Sequence, residues 1–85
     1  MNTQYDVPLN ELFIKLFHID IISYGFEDNS LFSKKINLDA DNVLLLIFNI
    51  YKVFGLPKNC FYDLVNLEKI TFNNITKYIE NTLDV

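Results

Sequence analysis

Asp39-Ala40-Asp41-Asn42-Val43-Leu44-Leu45-Leu46-Ile47-Phe48-Asn49-Ile50-Tyr51-Lys52-Val53-Phe54-Gly55-Leu56-Pro57 is the most apolar segment of the chain, and it is punctuated as a helix. Asp39 is a good N-cap, because its carboxylate can accept bonds from the free N–H groups of a first turn. Asp41 adds negative charge where the helix dipole favours it. Gly55 followed by Pro57 marks the stop, so the spacing predicts a helix from Ala40 to Phe54. This helix is apolar almost all round. It is therefore either central to a bundle or uses its outer face to bind something.

Working outward, Asp6-Val7-Pro8 reads as a second helix start, with Asp6 as cap and proline in a tolerant first turn. Leu9, Leu12, Phe13, Leu16 and Phe17 recur at three- and four-residue spacing and line one face. The pattern fades between His18 and Ile22. From Ser23 to Asp39 the periodicity is lost, and Leu31, Phe32 and Ile36 read as apolar pins in a 17-residue connection. Connections that long are often functional in small domains. Beyond Pro57, a short helix is expected at about Cys60 to Asn66. A last one, capped by Thr71, runs to about Leu83 with Phe72, Ile75, Tyr78, Ile79 and Leu83 inward and Lys77, Glu80 and Asn81 toward water. No alternating strand pattern with hairpin turns is present. The expected fold is all-α, a small four-helix bundle of three longer helices and one short.

The bulk numbers narrow the function. Eighty-five residues make a single domain over 1–85, with a modest core that takes roughly 60% of the unfolded surface out of water. A hydrophobic content of 51%, with only 2 Gly and 2 Pro, excludes disordered and linker sequence. The net charge is −4 and all 7 basic residues are lysine, which argues against a nucleic-acid partner. One cysteine cannot build a disulfide framework or a cysteine-based zinc site. The apolar run of about a dozen residues is short of the ~20 that span a bilayer. Met1-Asn2-Thr3-Gln4 does not begin a signal peptide. A cytoplasmic protein with no membrane insertion is expected.

No catalytic constellation is written in the chain. His18 is the only histidine and has no local acid or nucleophile beside it, so it reads as a helix-end residue. Cys60 lacks an activating cationic cluster and reads as a small core residue. Glu27-Asp28 reads as a solvated loop pair. No HExxH, P-loop, GxSxG or EF-hand pattern occurs. The protein is not expected to be an enzyme.

The loop–helix junction carries a resemblance. Leu31-Phe32, standing ahead of Asp39-Ala40, and Ile36-Asn37-Leu38-Asp39-Ala40-Asp41 resemble the segment of acyl and peptidyl carrier proteins that ends in Asp-Ser-Leu. Leu44 through Val53-Phe54-Gly55-Leu56-Pro57 is similar to that family's second helix, which commonly closes on Glu-Phe-Gly-Ile-Pro. Leu67-Glu68-Lys69-Ile70-Thr71-Phe72 through Ile79 looks like its third-to-fourth helix junction and last helix. The resemblance spans nearly the whole chain and implies a carrier-type bundle. It also implies a serine at the start of helix two that receives 4′-phosphopantetheine from coenzyme A, with a transferase and Mg²⁺ supplying the activation. The thiol of that arm carries acyl, polyketide or peptidyl intermediates as thioesters in fatty-acid, polyketide or nonribosomal-peptide pathways. The implied partners are the phosphopantetheinyl transferase, a ketosynthase, an acyl- or adenylate-forming ligase and a thioesterase.

The chain departs from the family at the attachment atom. Ala40, flanked by Asp39 and Asp41, occupies the serine position and has no nucleophile. Ser30, in Asp28-Asn29-Ser30-Leu31, is the other hydroxyl to weigh, but Phe32-Ser33-Lys34-Lys35 follows it rather than an apolar helix. Ala40 fits an engineered Ser→Ala change, which the intact surrounding motif favours, or a natural pseudo-carrier or helical adaptor that acts only by protein–protein binding. The family's helix two also carries several glutamates that are absent here. Docking is therefore expected to rest on apolar contact through Leu44, Ile47 and Phe48, with Asp63 and Glu68 as an acidic rim.

Overall fold

The computed structural model describes residues 3–84 and is all-α, with five helices in the order α1 Asp6–Phe17, α2 Ile21–Tyr24, α3 Ala40–Phe54, α4 Cys60–Val65 and α5 Phe72–Leu83. Helix α3 has the bounds its punctuation implies. The Asp39 Oδ1 accepts from the Asn42 N–H at 2.8 Å, and the Asn42 side-chain oxygen accepts from the Asp39 N–H at 3.3 Å, a reciprocal capping box. At the other end Gly55 is left-handed at φ +64°, and the Leu56 N–H donates to the Tyr51 carbonyl at 3.1 Å. That left-handed closing turn favours glycine, which adopts it without strain, and Leu56 is buried just beyond it.

The core forms where the apolar stripes converge. Helix α3 packs against both α1 and α4, and α1 also packs on α2. Leu9 and Phe13 from α1, Leu46, Ile47 and Ile50 from α3, Leu64 from α4, and Phe72, Ile75 and Ile79 from α5 are all fully buried. Phe13 and Phe72 meet with ring centroids 5.8 Å apart, joining the first helix to the last. Each such side chain contributes about 1.5–3 kcal/mol by leaving water.

Four local expectations need correction. Asp6 does not cap α1 from outside: Tyr5 holds the cap position, while Asp6 is the first helical residue and its carboxylate accepts from the Thr3 hydroxyl at 3.0 Å. The stretch after His18 does not simply fade. Asp20 caps a further single turn, α2, by accepting from the Ser23 N–H, and Asn10 of α1 reaches across to it. Asn10 donates to Asp20 Oδ1 at 2.9 Å and accepts from the Ile22 N–H at 3.2 Å. A contact ten residues away, invisible to local periodicity, therefore builds α2. In the following connection Leu31 and Ile36 are buried as expected, but Phe32 is 52% exposed and Leu38 takes the third buried place. At the far end Leu83 is exposed and Glu80 is half-buried, so the inward stripe of α5 closes at Ile79.

The long connection is fastened without regular structure. The Leu31 N–H donates to the Ile70 carbonyl at 3.0 Å, and Ser30 and Thr71 form an isolated antiparallel bridge. The Asn73 N–H donates to the Glu27 carbonyl, and its side-chain amide donates to Asp28 Oδ1 at 2.7 Å. The segment before α3 is thereby tied to the junction before α5.

Candidate functional site

That tie creates the site. Residues 28–32 form one wall, the first two turns of α3 form another, and Val65 through Thr71 form the third. They enclose an open cavity of about 640 Å³. Its lining is mainly apolar, from Phe32, Ala40, Val43, Leu44, Ile47, Val65, Leu67 and Ile70. Asp28, Ser30, Glu68, Lys69 and Thr71 supply the polar part of its lining. The volume lies within the range of about 300–1,000 Å³ usual for ligand pockets.

Ala40 is exposed, stands at the first position of α3 and lines this cavity. Asp39 is committed to the cap, and Asp41 is exposed one residue further on. The side chain of Ala40 ends at Cβ, so no oxygen is available there for an ester to phosphate. Of the lining hydroxyls, the Thr71 Oγ accepts from the Asn74 N–H as the cap of α5, and the Ser30 Oγ accepts from the Phe32 N–H. A covalently held 4′-phosphopantetheine does not fit position 40 of this chain.

The expected docking residues divide. Leu44 is 44% exposed and Phe48 is 56% exposed. Ile47 is fully buried, so it is not an outward docking contact; it belongs to the core and closes the inner side of the cavity. Asp63 is exposed on α4 and accepts from the Tyr78 hydroxyl at 2.7 Å. Burial, with the adjacent Cys60 thiol and this bond to Asp63, raises the Tyr78 hydroxyl above its ordinary pKa of 10. Glu68 is exposed and on the cavity wall, beside Lys69.

Other residues of this surface escaped the sequence reading. Leu45 and Tyr62 are exposed, and Val65 is both exposed and part of the cavity lining. The rings of Phe48 and Phe61 meet edge-on at 6.4 Å, and Phe61 meets Tyr62 at 6.3 Å, so the outer face of α3 runs into α4 through aromatic contacts. The Lys52 ammonium lies 5.8 Å from the Phe48 ring centroid. Leu45 could have been found from helical spacing, since it is off the inward stripe. Val65 had no such signal, because only the packing of α4 on α3 brings it beside Leu44.

The remaining candidates do not join this site. His18 is exposed at the end of α1, in a left-handed conformation that closes the helix. Cys60 is buried in the core at the start of α4. Among the described residues, no group of three His, Cys, Asp or Glu side chains could hold a metal ion. No helix among them is long and apolar enough to cross a membrane.

No protein-family model, curated protein or solved structure matches the chain.

Proposed function

We propose that this chain is a carrier-type domain of the acyl and peptidyl carrier kind whose attachment position is closed by Ala40, and that in this form it acts by binding biosynthetic partner enzymes. The observation that carries the reading is the placement of Ala40. The position matching the family's serine opens a long, well-capped helix on the wall of an apolar cavity. The order of elements is in keeping with it: α1, α3 and α5 are long and α4 is short, as the resemblance implies, with α2 a single added turn. The chain is not an enzyme in this reading, since the chemistry belongs to its partners in fatty-acid, polyketide or nonribosomal-peptide synthesis.

The test is intact-mass spectrometry of the Ala40→Ser variant beside the Ala40 chain, each incubated with coenzyme A, Mg²⁺ and a permissive phosphopantetheinyl transferase. One added arm on the serine variant alone is the expected result and identifies a carrier with a disabled attachment site. No addition to the serine variant overturns the carrier reading. The binding-only adaptor then stands, favoured by the alanine itself and by the exposed Leu44, Leu45 and Phe48 on α3.

A further inference from the structure

We infer that residues 27–38 form a strap that lifts as one unit while the helices stay folded, taking a wall of the cavity with it. The strap governs how the cavity opens and not what visits it, so it stands apart from the carrier reading. Three observations carry it. First, the strap is closed on itself. The Leu38 N–H donates to the Leu31 carbonyl at 2.9 Å, which brings the two ends of residues 31–38 together. Inside that neck the Asn37 N–H donates to the Ser33 carbonyl at 2.6 Å, and Asn37 turns the chain in the left-handed region at φ 59°. Compact loops of this form move as bodies about hinges at their ends. Gly25, left-handed and with open space where a Cβ would stand, is such a hinge.

Second, the fastening is narrow. Beyond the turn at Phe26, and among the described residues, every hydrogen bond from residues 27–38 to the rest of the chain ends between residues 70 and 73. Leu31, Ile36 and Leu38 are its buried side chains. The helices share a much larger buried core, joined through Phe13 and Phe72, so lifting the strap exposes far less than unfolding the domain. Third, the closed form carries a cost that lifting relieves. The Ser33 Oγ is buried and finds no hydrogen-bond partner among the described residues. A hydroxyl held in that way forgoes its bonds to water and regains them when the strap lifts. Asp28, Ser30 and Phe32 leave the cavity lining in the same movement, so the cavity widens beside Val43 and Ile47. The strap thereby sets the size of what the cavity admits.

The test is native-state amide hydrogen exchange by NMR on the full chain, with urea kept below the unfolding transition. The Leu31, Leu38 and Asn73 amides report the strap, because each donates across its neck or its fastening. Those of Ile47 and Ile50, inside α3, report global unfolding. The strap amides should share one protection factor, at least about tenfold below that of Ile47 and Ile50, and little changed by urea. Ser33→Ala should slow their exchange about fivefold or more, since it removes the unpaired hydroxyl and leaves the packing in place. Ser30→Cys with Thr71→Cys places two thiols across the antiparallel bridge, at a spacing a disulfide spans. Oxidation should raise the three strap amides to the protection of α3, and reduction should return them.

Strap amides as protected as Ile47 and Ile50 in the parent chain overturn the inference, as do three unrelated protection factors. Exchange unchanged or faster in Ser33→Ala overturns it, and so does equal exchange in the oxidised and reduced double variant. The parent chain and Ser33→Ala decide the matter even where the double variant does not fold. Arm loading of Ala40→Ser tests the carrier reading separately, so either idea can fail without the other.

Discussion

Leu45 and Leu46 are adjacent on one helix and identical in chemistry, yet Leu46 is fully buried and Leu45 is 46% exposed. The same division runs along α3: Val43, Leu46, Ile47 and Ile50 face the core, while Leu44, Leu45, Phe48 and Val53 face outward. Inward side chains are accounted for by packing, because removing them leaves a cavity. Outward ones gain little for the folded chain and weaken its solubility. This outward apolar face is the surface on which the proposed binding function rests.

The largest expected effect tests the inner half of that contrast. Leu46→Ala removes a fully buried side chain and should destabilise the domain by about 2–5 kcal/mol. Each kcal/mol corresponds to roughly 4–8 °C in a domain of this size, so a thermal melt would show a fall of order 10 °C or more. Next comes the cap that both halves share. Asp39→Ala removes the carboxylate that accepts from the Asn42 N–H, while the backbone N–H of residue 39 can still donate to the Asn42 side chain, and should cost about 1 kcal/mol, read from urea midpoints. Its effect should be smaller than that of Leu46→Ala, and the reverse order would mean that α3 is held by its end rather than by its inner face.

A smaller, pH-dependent effect belongs to the α1–α2 clamp, which is polar where α3 is apolar. The Asn10 amide, followed by the Ser23 N–H, holds the Asp20 carboxyl below its ordinary pKa of 3.8. The unfolded chain therefore binds this proton more readily. The stability that Asp20 contributes is present above that ordinary value and is lost as pH falls through the lower folded value. Asp20→Asn keeps an acceptor but cannot titrate, so urea midpoints between about pH 5 and about pH 3 should fall less steeply than in the parent chain. Equal slopes would show that the clamp does not contribute to acid sensitivity.

The smallest effect sharpens the contrast most. Leu45→Ala should change stability by no more than about 0.5 kcal/mol, against several for its neighbour. A loss comparable to that of Leu46→Ala would make the outer face structural and remove the argument for a partner.

Much of this architecture was legible in the sequence, for reasons that differ by element. Helix α3 could be bounded from local chemistry because Asp39, Gly55 and Pro57 act on their own neighbours. Helix α5 was equally readable from Thr71, whose hydroxyl accepts from the Asn74 N–H at 3.1 Å. The turn α2 was not, because half of its support comes from Asn10 on another helix. The exposure of Phe32 beside the burial of Leu38 was also hidden. Leu38 is drawn in where its N–H donates to the Leu31 carbonyl at 2.9 Å, within a connection that has no helical or strand period to follow. At the site, position 40 and the outward Leu44 and Phe48 were readable, but the cavity was not. Its walls come from three separated stretches of chain, brought together by the bonds that tie residues 27–31 to residues 70–73 and by the packing of α4 on α3.

The polar clasp between the first and last helices has a consequence for handling this molecule. The Tyr5 hydroxyl donates to Asp84 Oδ1 at 2.7 Å and the Gln4 amide reaches the same carboxylate at 3.2 Å, so residues 79 and 80 positions apart in sequence are side by side. Circular permutation suits such a geometry: a short flexible linker can bridge Gln4 and Asp84, and new termini can be opened at the exposed Lys34-Lys35 pair. A permutant of this kind keeps α3 and α4 in one uninterrupted run of chain. Reporter groups could then be attached at the new termini, in the connection that precedes α3, without altering the residues of either helix.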